Sequence, residues 1–117
     1  MLVAQLVNQQ WLDYTRTHRS HCNLLVHLVA VPAFVAANTA LVAALILGMW
    51  IAAIFSLAVM AVSLALQGRF HRIEPEQPEP FSGPAEAVIR ILLEQWVTFP
   101  RFVLSGGWAR ALREASR

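Results

Sequence analysis

"LVAVPAFVAANTALVAALILGMWIAAIFSLAVMAVSLALQG", residues 28–68, runs for 41 residues without a charge. As one continuous helix it would extend about 60 Å, roughly twice the ~30 Å hydrocarbon core of a bilayer. It therefore divides into two crossings. Leu47-Gly48-Met49-Trp50 is the natural break, because glycine permits a tight turn and tryptophan anchors at headgroup level. This predicts one helix near 25–46 and another near 50–68, together a transmembrane hairpin over 21–68.

The remainder of the chain agrees with a membrane protein. Of 117 residues 57% are hydrophobic and only 14% charged, outside the usual balance of a soluble domain. All nine basic residues are arginine and the net charge of +2 comes from short clusters, which excludes the broad basic face that nucleic acid requires. Arg16 and Arg19 precede the hairpin, Arg69 and Arg72 follow it, and the turn carries no charge. The positive-inside rule then places both termini in the cytoplasm. An antiparallel hairpin also brings its two far ends together, so His27 and His71 are expected side by side at one membrane depth.

Outside the hairpin the expected single domain, 1–117, has four parts. Residues 2–17 carry Leu2, Leu6, Val7, Trp11, Leu12 and Tyr14 at a loose helical period, which predicts an amphipathic N-terminal helix. "EPEQPEPFSGP", residues 74–84, holds four prolines in eleven residues and predicts an extended linker. Residues 85–104 predict an amphipathic or interfacial helix on which Arg90 and Glu94 pair at i,i+4, with Pro100 kinking or ending it. Residues 105–117 read as a cationic surface tail with Arg110, Arg113 and Arg117. The lone Cys22 has no disulfide partner in the chain.

Three of the four histidines lie inside "YTRTHRSHCNLLVH", residues 14–27. His18 and His27, nine apart, fall on opposite faces of a continuous helix, so sharing a ligand requires a break between them. Ser20, a good N-cap residue, predicts a corner at 18–20 and a new helix carrying Asn23 and His27 on one face. Gln67, His71 and Glu74 form a second group. Imidazoles from His18, His27 and His71, with Glu74, Asn23 or Gln67 nearby, offer nitrogens and an optional carboxylate. Such a set suits a nonheme Fe(II) centre with open positions, and zinc accepts the same ligands. His21 reads as a polar corner residue.

Tyr14-x3-His18-x4-Asn23-x3-His27, then Val31-Pro32, a hydrophobic hairpin and Gln67-x3-His71 followed by an acid and prolines, resembles the Mpo-like family of small membrane proteins. The resemblance spans residues 11 to about 105. Its fungal member is an Fe(II)-dependent dioxygenase that shortens 2-hydroxy fatty acids by one carbon during phytosphingosine breakdown. The resemblance implies that His18, His27 and His71 bind iron and are catalytic, with Tyr14, Asn23, Gln67 and Glu74 as supporting or substrate-positioning residues. It also implies a 2-hydroxy fatty acid and dioxygen as substrates, and the arginine distribution puts the site that meets them on the cytoplasmic side of the membrane. The acyl tail is expected along Ala36, Leu41 and Phe55, and a homo-oligomer is compatible with so small a chain. Two other readings compete: a haem held between His27 and His71, and a non-catalytic membrane hairpin.

Overall fold

Gly48 makes the turn on which the fold depends. Its φ of +71° lies in the left-handed region, which glycine enters without a Cβ penalty. There its N–H donates to Leu45 O (3.4 Å) and the next amide, Met49, donates to Ala44 O (2.8 Å), the paired bonds of a Schellman motif. The computed structural model describes residues 2–116, and every regular element among them is helical: α1 (Val3–Thr17), α2 (His21–Leu47), α3 (Trp50–His71), α4 (Pro84–Leu93), a π-helical turn (Glu94–Thr98), α5 (Phe99–Leu104) and α6 (Gly107–Ala115).

The chain reverses at Gly48, so α2 and α3 form an antiparallel hairpin, and both are long and apolar enough to cross a membrane. Small side chains line the seam between them: Ala30, Ala37 and Ala44 from α2, with Ala53, Ser56 and Ser63 from α3, are buried. Small residues let helix backbones approach closely. Large apolar side chains point outward instead, Ile51 at 87% exposure and Ile46 at 79%. Both helices outrun their expected limits at the histidine end. There α3 continues to His71, where Arg69 and His71 in its last turn face the negative end of the helix dipole.

The other elements gather around the histidine end. Tyr14, Leu24, Val31, Phe99, Phe102 and Ala111 form one core that joins α1, α2, α5 and α6. Residues 105–116 are not the surface tail expected. They turn at Gly106 (φ +81°) into α6, whose Trp108 Nε1 donates to Leu24 O (3.2 Å). A Cβ at Gly107 would stand 2.5 Å from the Phe102 ring, so glycine is required for that contact. Arg117 lies outside the described residues. The linker carries no regular helix between Arg72 and Gly83.

One local expectation is corrected and another narrowed. Arg90 does not pair with Glu94; it meets Glu86 Oε1 at 3.2 Å and the carbonyls of Glu79 (2.8 Å) and Pro80 (3.2 Å). Acid four residues N-terminal to base is the better orientation on a helix, and Glu94 is turned elsewhere. Pro100 does not end the helix either. It lacks an N–H and its ring crowds the carbonyl four residues back, and the turn before it widens so that Phe99 N donates to Glu94 O at i,i+5. Helix then resumes through Leu104.

Candidate metal centre

His18 sits at the C-cap of α1, with φ −131° and ψ 71°. Leaving helical geometry there lets the chain turn at 18–20 before α2 starts, so His18 and His27 no longer follow one helical phase. The expected cap, Ser20, makes no side-chain capping bond. Glu74 does the work from the far side of the hairpin. Its Oε1 accepts from Arg19 N (2.8 Å) and Ser20 N (3.1 Å), and its Oε2 from Ser20 N (3.0 Å) and Asn23 Nδ2 (2.7 Å). A buried carboxylate at a helix N-terminus is stabilised by these donors and by the helix dipole. Glu74 thus fastens the end of α3 to the start of α2, and stands in the cap rather than among the histidines.

The rings of His18, His27 and His71 meet in a three-bladed arrangement. Their centroids are 4.5–4.9 Å apart and each pair of planes crosses at 83–89°. Tyr14 stacks on His18 at 3.7 Å with planes 7° apart. The fourth member is Glu94, from the first residue of the π-helical turn. Its Oε1 lies 3.4 Å from His18 Nε2, 3.7 Å from His27 Nε2 and 3.8 Å from His71 Nε2. His18, His27, His71 and Glu94 can together hold a metal ion.

Tautomers follow from the partners of the other ring nitrogens. His18 Nδ1 lies 2.9 Å from Tyr14 O, and His27 Nδ1 lies 3.0 Å from Asn23 O. A carbonyl only accepts, so each Nδ1 carries the proton and each Nε2 presents a lone pair. In both cases the acceptor is the carbonyl four residues earlier. Histidines that ligate metals are commonly oriented by such a bond.

His18 Nε2, His27 Nε2 and Glu94 Oε1 are buried and have no hydrogen-bond partner. Acceptors pointed at one another repel unless a cation stands among them, either protons on the rings or a metal. A charge-assisted N–H···O bond runs about 2.7–2.9 Å, shorter than any of the three separations. Donors tetrahedrally placed about 2.0–2.1 Å from one ion stand about 3.3–3.4 Å apart, a spacing that the His18 separation matches and the other two exceed.

The electrostatics agree. Burial holds His18 below its ordinary value of 6.5, with Glu94 acting against that shift. Burial would raise the Glu94 carboxyl, but the three imidazoles outweigh it and hold it well below its ordinary 4.5. Tyr14 is raised well above 10.0 by burial and then by the Glu94 charge, so its phenol keeps its proton. A neutral His18 beside an ionised Glu94 suits a divalent cation.

The polar residues around the cluster fix its elements. Gln67 and Gln95 exchange reciprocal amide bonds, both 2.8 Å, and Gln67 Nε2 also donates to Ser63 Oγ (3.0 Å). This ties α3, one turn before His71, to the residue after Glu94. Thr98 donates to Gln10 Oε1 (2.7 Å), and Gln10 donates to Arg90 O (2.7 Å), so both flanks of the π turn are bound to α1. Asn23 orients His27 through its carbonyl and meets Glu74 through its side chain. His21 is exposed, with Nδ1 3.5 Å from Ser116 Oγ, and Cys22 is exposed; neither is in the cluster.

A cavity of about 610 Å³ opens beside His18, His71 and Glu94, with Leu6, Leu64 and Ile91 among its apolar walls. Tyr14 lines it too, and its buried hydroxyl has no partner. Ala36, Leu41 and Phe55, the expected path of an acyl tail, are not on its wall. Sequence reasoning missed Glu94. The signal was present: a lone acid in "IRILLEQWVTF", residues 89–99, is an ionisable group in apolar surroundings, which ordinarily has a partner. Comparison of the chain with protein-family models, curated proteins and solved structures gave no match.

Proposed function

We propose that this chain is an integral membrane Fe(II)-dependent dioxygenase that shortens 2-hydroxy fatty acids by one carbon, as the resemblance to the Mpo-like family implies. The observation that carries the reading is the convergence of three imidazoles and one carboxylate oxygen, with His18 Nε2, His27 Nε2 and Glu94 Oε1 buried and unpartnered, beside a cavity that His18, His71 and Glu94 line. Three nitrogens and one oxygen are a suitable donor set for Fe(II) and fall short of the six it can take, which leaves room for substrate. The outward apolar side chains of α2 and α3 support insertion in a bilayer. The arginines at the open end of the hairpin support a cytoplasmic site.

Bound iron would supply the oxygen chemistry, in which a 2-hydroxy acid and dioxygen give the carboxylic acid one carbon shorter, carbon dioxide and water. The chain's own residues do the rest. His18, His27, His71 and Glu94 hold the ion, the carbonyls of Tyr14 and Asn23 keep two of the rings in the ligating tautomer, and Glu74 keeps α1, α2 and α3 in register around it. Tyr14 offers a protonated phenol on the cavity wall to donate to a substrate oxygen. The haem alternative fits poorly: a porphyrin between His27 and His71 would need the space in which Glu94 Oε1 stands, 3.7 and 3.8 Å from their Nε2 atoms.

The test is anaerobic Fe(II) loading of the purified protein, then oxygen and 2-hydroxypalmitate, with mass spectrometry for pentadecanoic acid beside His71→Ala and Glu94→Ala. Product that vanishes in both variants supports the reading. Iron without product keeps the metal centre and removes the substrate. Failure to bind iron removes the catalytic reading in favour of a non-catalytic hairpin.

A further inference from the structure

The cavity continues past the histidines. Leu64 and Gly68 of α3 and its C-cap Arg72, four residues apart on one face, line it, and the same three residues line a second depression with Ala65 and Arg69. Gly68 is the joint between the two. A Cβ there would meet no atom within 4 Å, so close packing does not account for glycine inside a helix, where it is less favourable than alanine. What the missing side chain does is leave the gap open. On the opposite wall the linker is strapped down, the Glu79 and Pro80 carbonyls held by Arg90, whose guanidinium also lies 4.6 Å over the Phe81 ring.

The chemistry of the gap is graded. Over about 12 Å of helix, α3 passes from Leu64 and Ala65 to Arg69 and Arg72. Arg16 and Arg90 have acidic partners, whereas the Arg69 and Arg72 guanidiniums have none among the described residues. Of the acids on the cavity wall, Asp13 is paired with Arg16, Glu86 with Arg90 and Glu94 stands among the histidines, which leaves Glu79. An apolar stretch beside free cations matches an anionic headgroup on one hydrocarbon chain. The cavity is also of a size that encloses one small ligand.

We infer that the gap over Gly68 is a lateral portal through which a single-chain anionic amphiphile passes from the membrane to the metal centre, its headgroup held by Arg72 and its tail lying over Leu64. The inference deepens the function proposed above and rests on the same membrane placement.

The test uses the iron-loaded, full-length protein in phosphatidylcholine nanodiscs. One probe is palmitate with a mid-chain photoreactive diazirine, its attachment mapped by peptide mass spectrometry; the others are 2-hydroxy acids of 16 and 4 carbons as turnover substrates. Wild type should be labelled near Leu64 and Leu6. Gly68→Phe should cut that labelling and raise KM for the longer acid on the order of tenfold, and less for the shorter, with iron content reporting an intact fold. Gly68→Ala, which strengthens the helix and fills only a methyl's space, should fall between. Arg72→Gln should raise KM for both acids and Arg72→Lys restore part of the loss. Undiminished labelling in Gly68→Phe, or labelling confined to the hairpin tip near Phe55, overturns the portal. Labelling over Gly68 without turnover of either acid sinks the dioxygenase and leaves the portal standing, so the two fail separately.

Discussion

The two ends of the α2–α3 hairpin are built on different principles. At the tip, Gly48 closes the turn with bonds reaching no further than five residues. At the open end, Glu74 reaches back more than fifty residues to cap α2, Gln67 meets Gln95, and Glu94 meets three histidines from three different places in the chain. The tip is a local structure that any chain with this glycine would make. The open end exists only when the whole fold is in place, and it carries every buried ionisable group near the cavity.

That contrast can be broken most forcefully at the ligands. Glu94→Ala and His27→Ala should each lower metal affinity by more than about 100-fold, read as bound metal per chain after dialysis; near-normal loading in both would show the cluster is not a metal site. Next comes the cap. Glu74→Ala strands several donors and should cost about 2–4 kcal/mol, with Glu74→Gln milder because it keeps one acceptor oxygen. Thermal unfolding measures the cost, and metal content should fall with it.

Acid sharpens the same comparison. His18 is held below 6.5 in the folded protein, so below that pH the unfolded chain takes up a proton the fold resists, and stability declines as pH falls. Glu94, held well below 4.5, adds a second decline of the same sign below that value. Metal should be released over the upper window as protons compete for imidazole, in a titration followed by metal content; retention of full loading at pH 4.5 would contradict the ligand assignment. The smallest effect belongs to the tip. Gly48→Ala should cost about 1–2 kcal/mol for the left-handed backbone and leave metal content unchanged.

The same division explains how much could be read from the sequence. The uncharged run and the glycine break are short-range signals, and they placed the two hairpin helices to within a few residues. The corner at 18–20 was legible because two histidines nine residues apart cannot share a helix face. Glu94 was not, since an i,i+4 neighbour of opposite sign looks like a surface pair until the helix is seen to turn it inward and Arg90 is seen to choose Glu86. Glu74 was assigned to the right neighbourhood but not to a cap, because the donors it satisfies lie in another helix. The terminal segment looked like a solvated tail because the contacts that bury Ala111 and partly cover Trp108 are supplied by α2 and α5.

The π turn at Glu94–Thr98 acts as a phase shifter. One residue occupies the space of an extra step, so the helix after it is rotated by about 100° relative to an uninterrupted spiral. Where the turn begins, the spiral is timed to aim the Glu94 carboxylate at the imidazoles; downstream it is timed to aim Phe99 and Phe102 at the core. No single spiral keeps both appointments. Removing one residue from this turn would therefore be a rotation more than a shortening, and the chain would have to choose which of its two faces to lose.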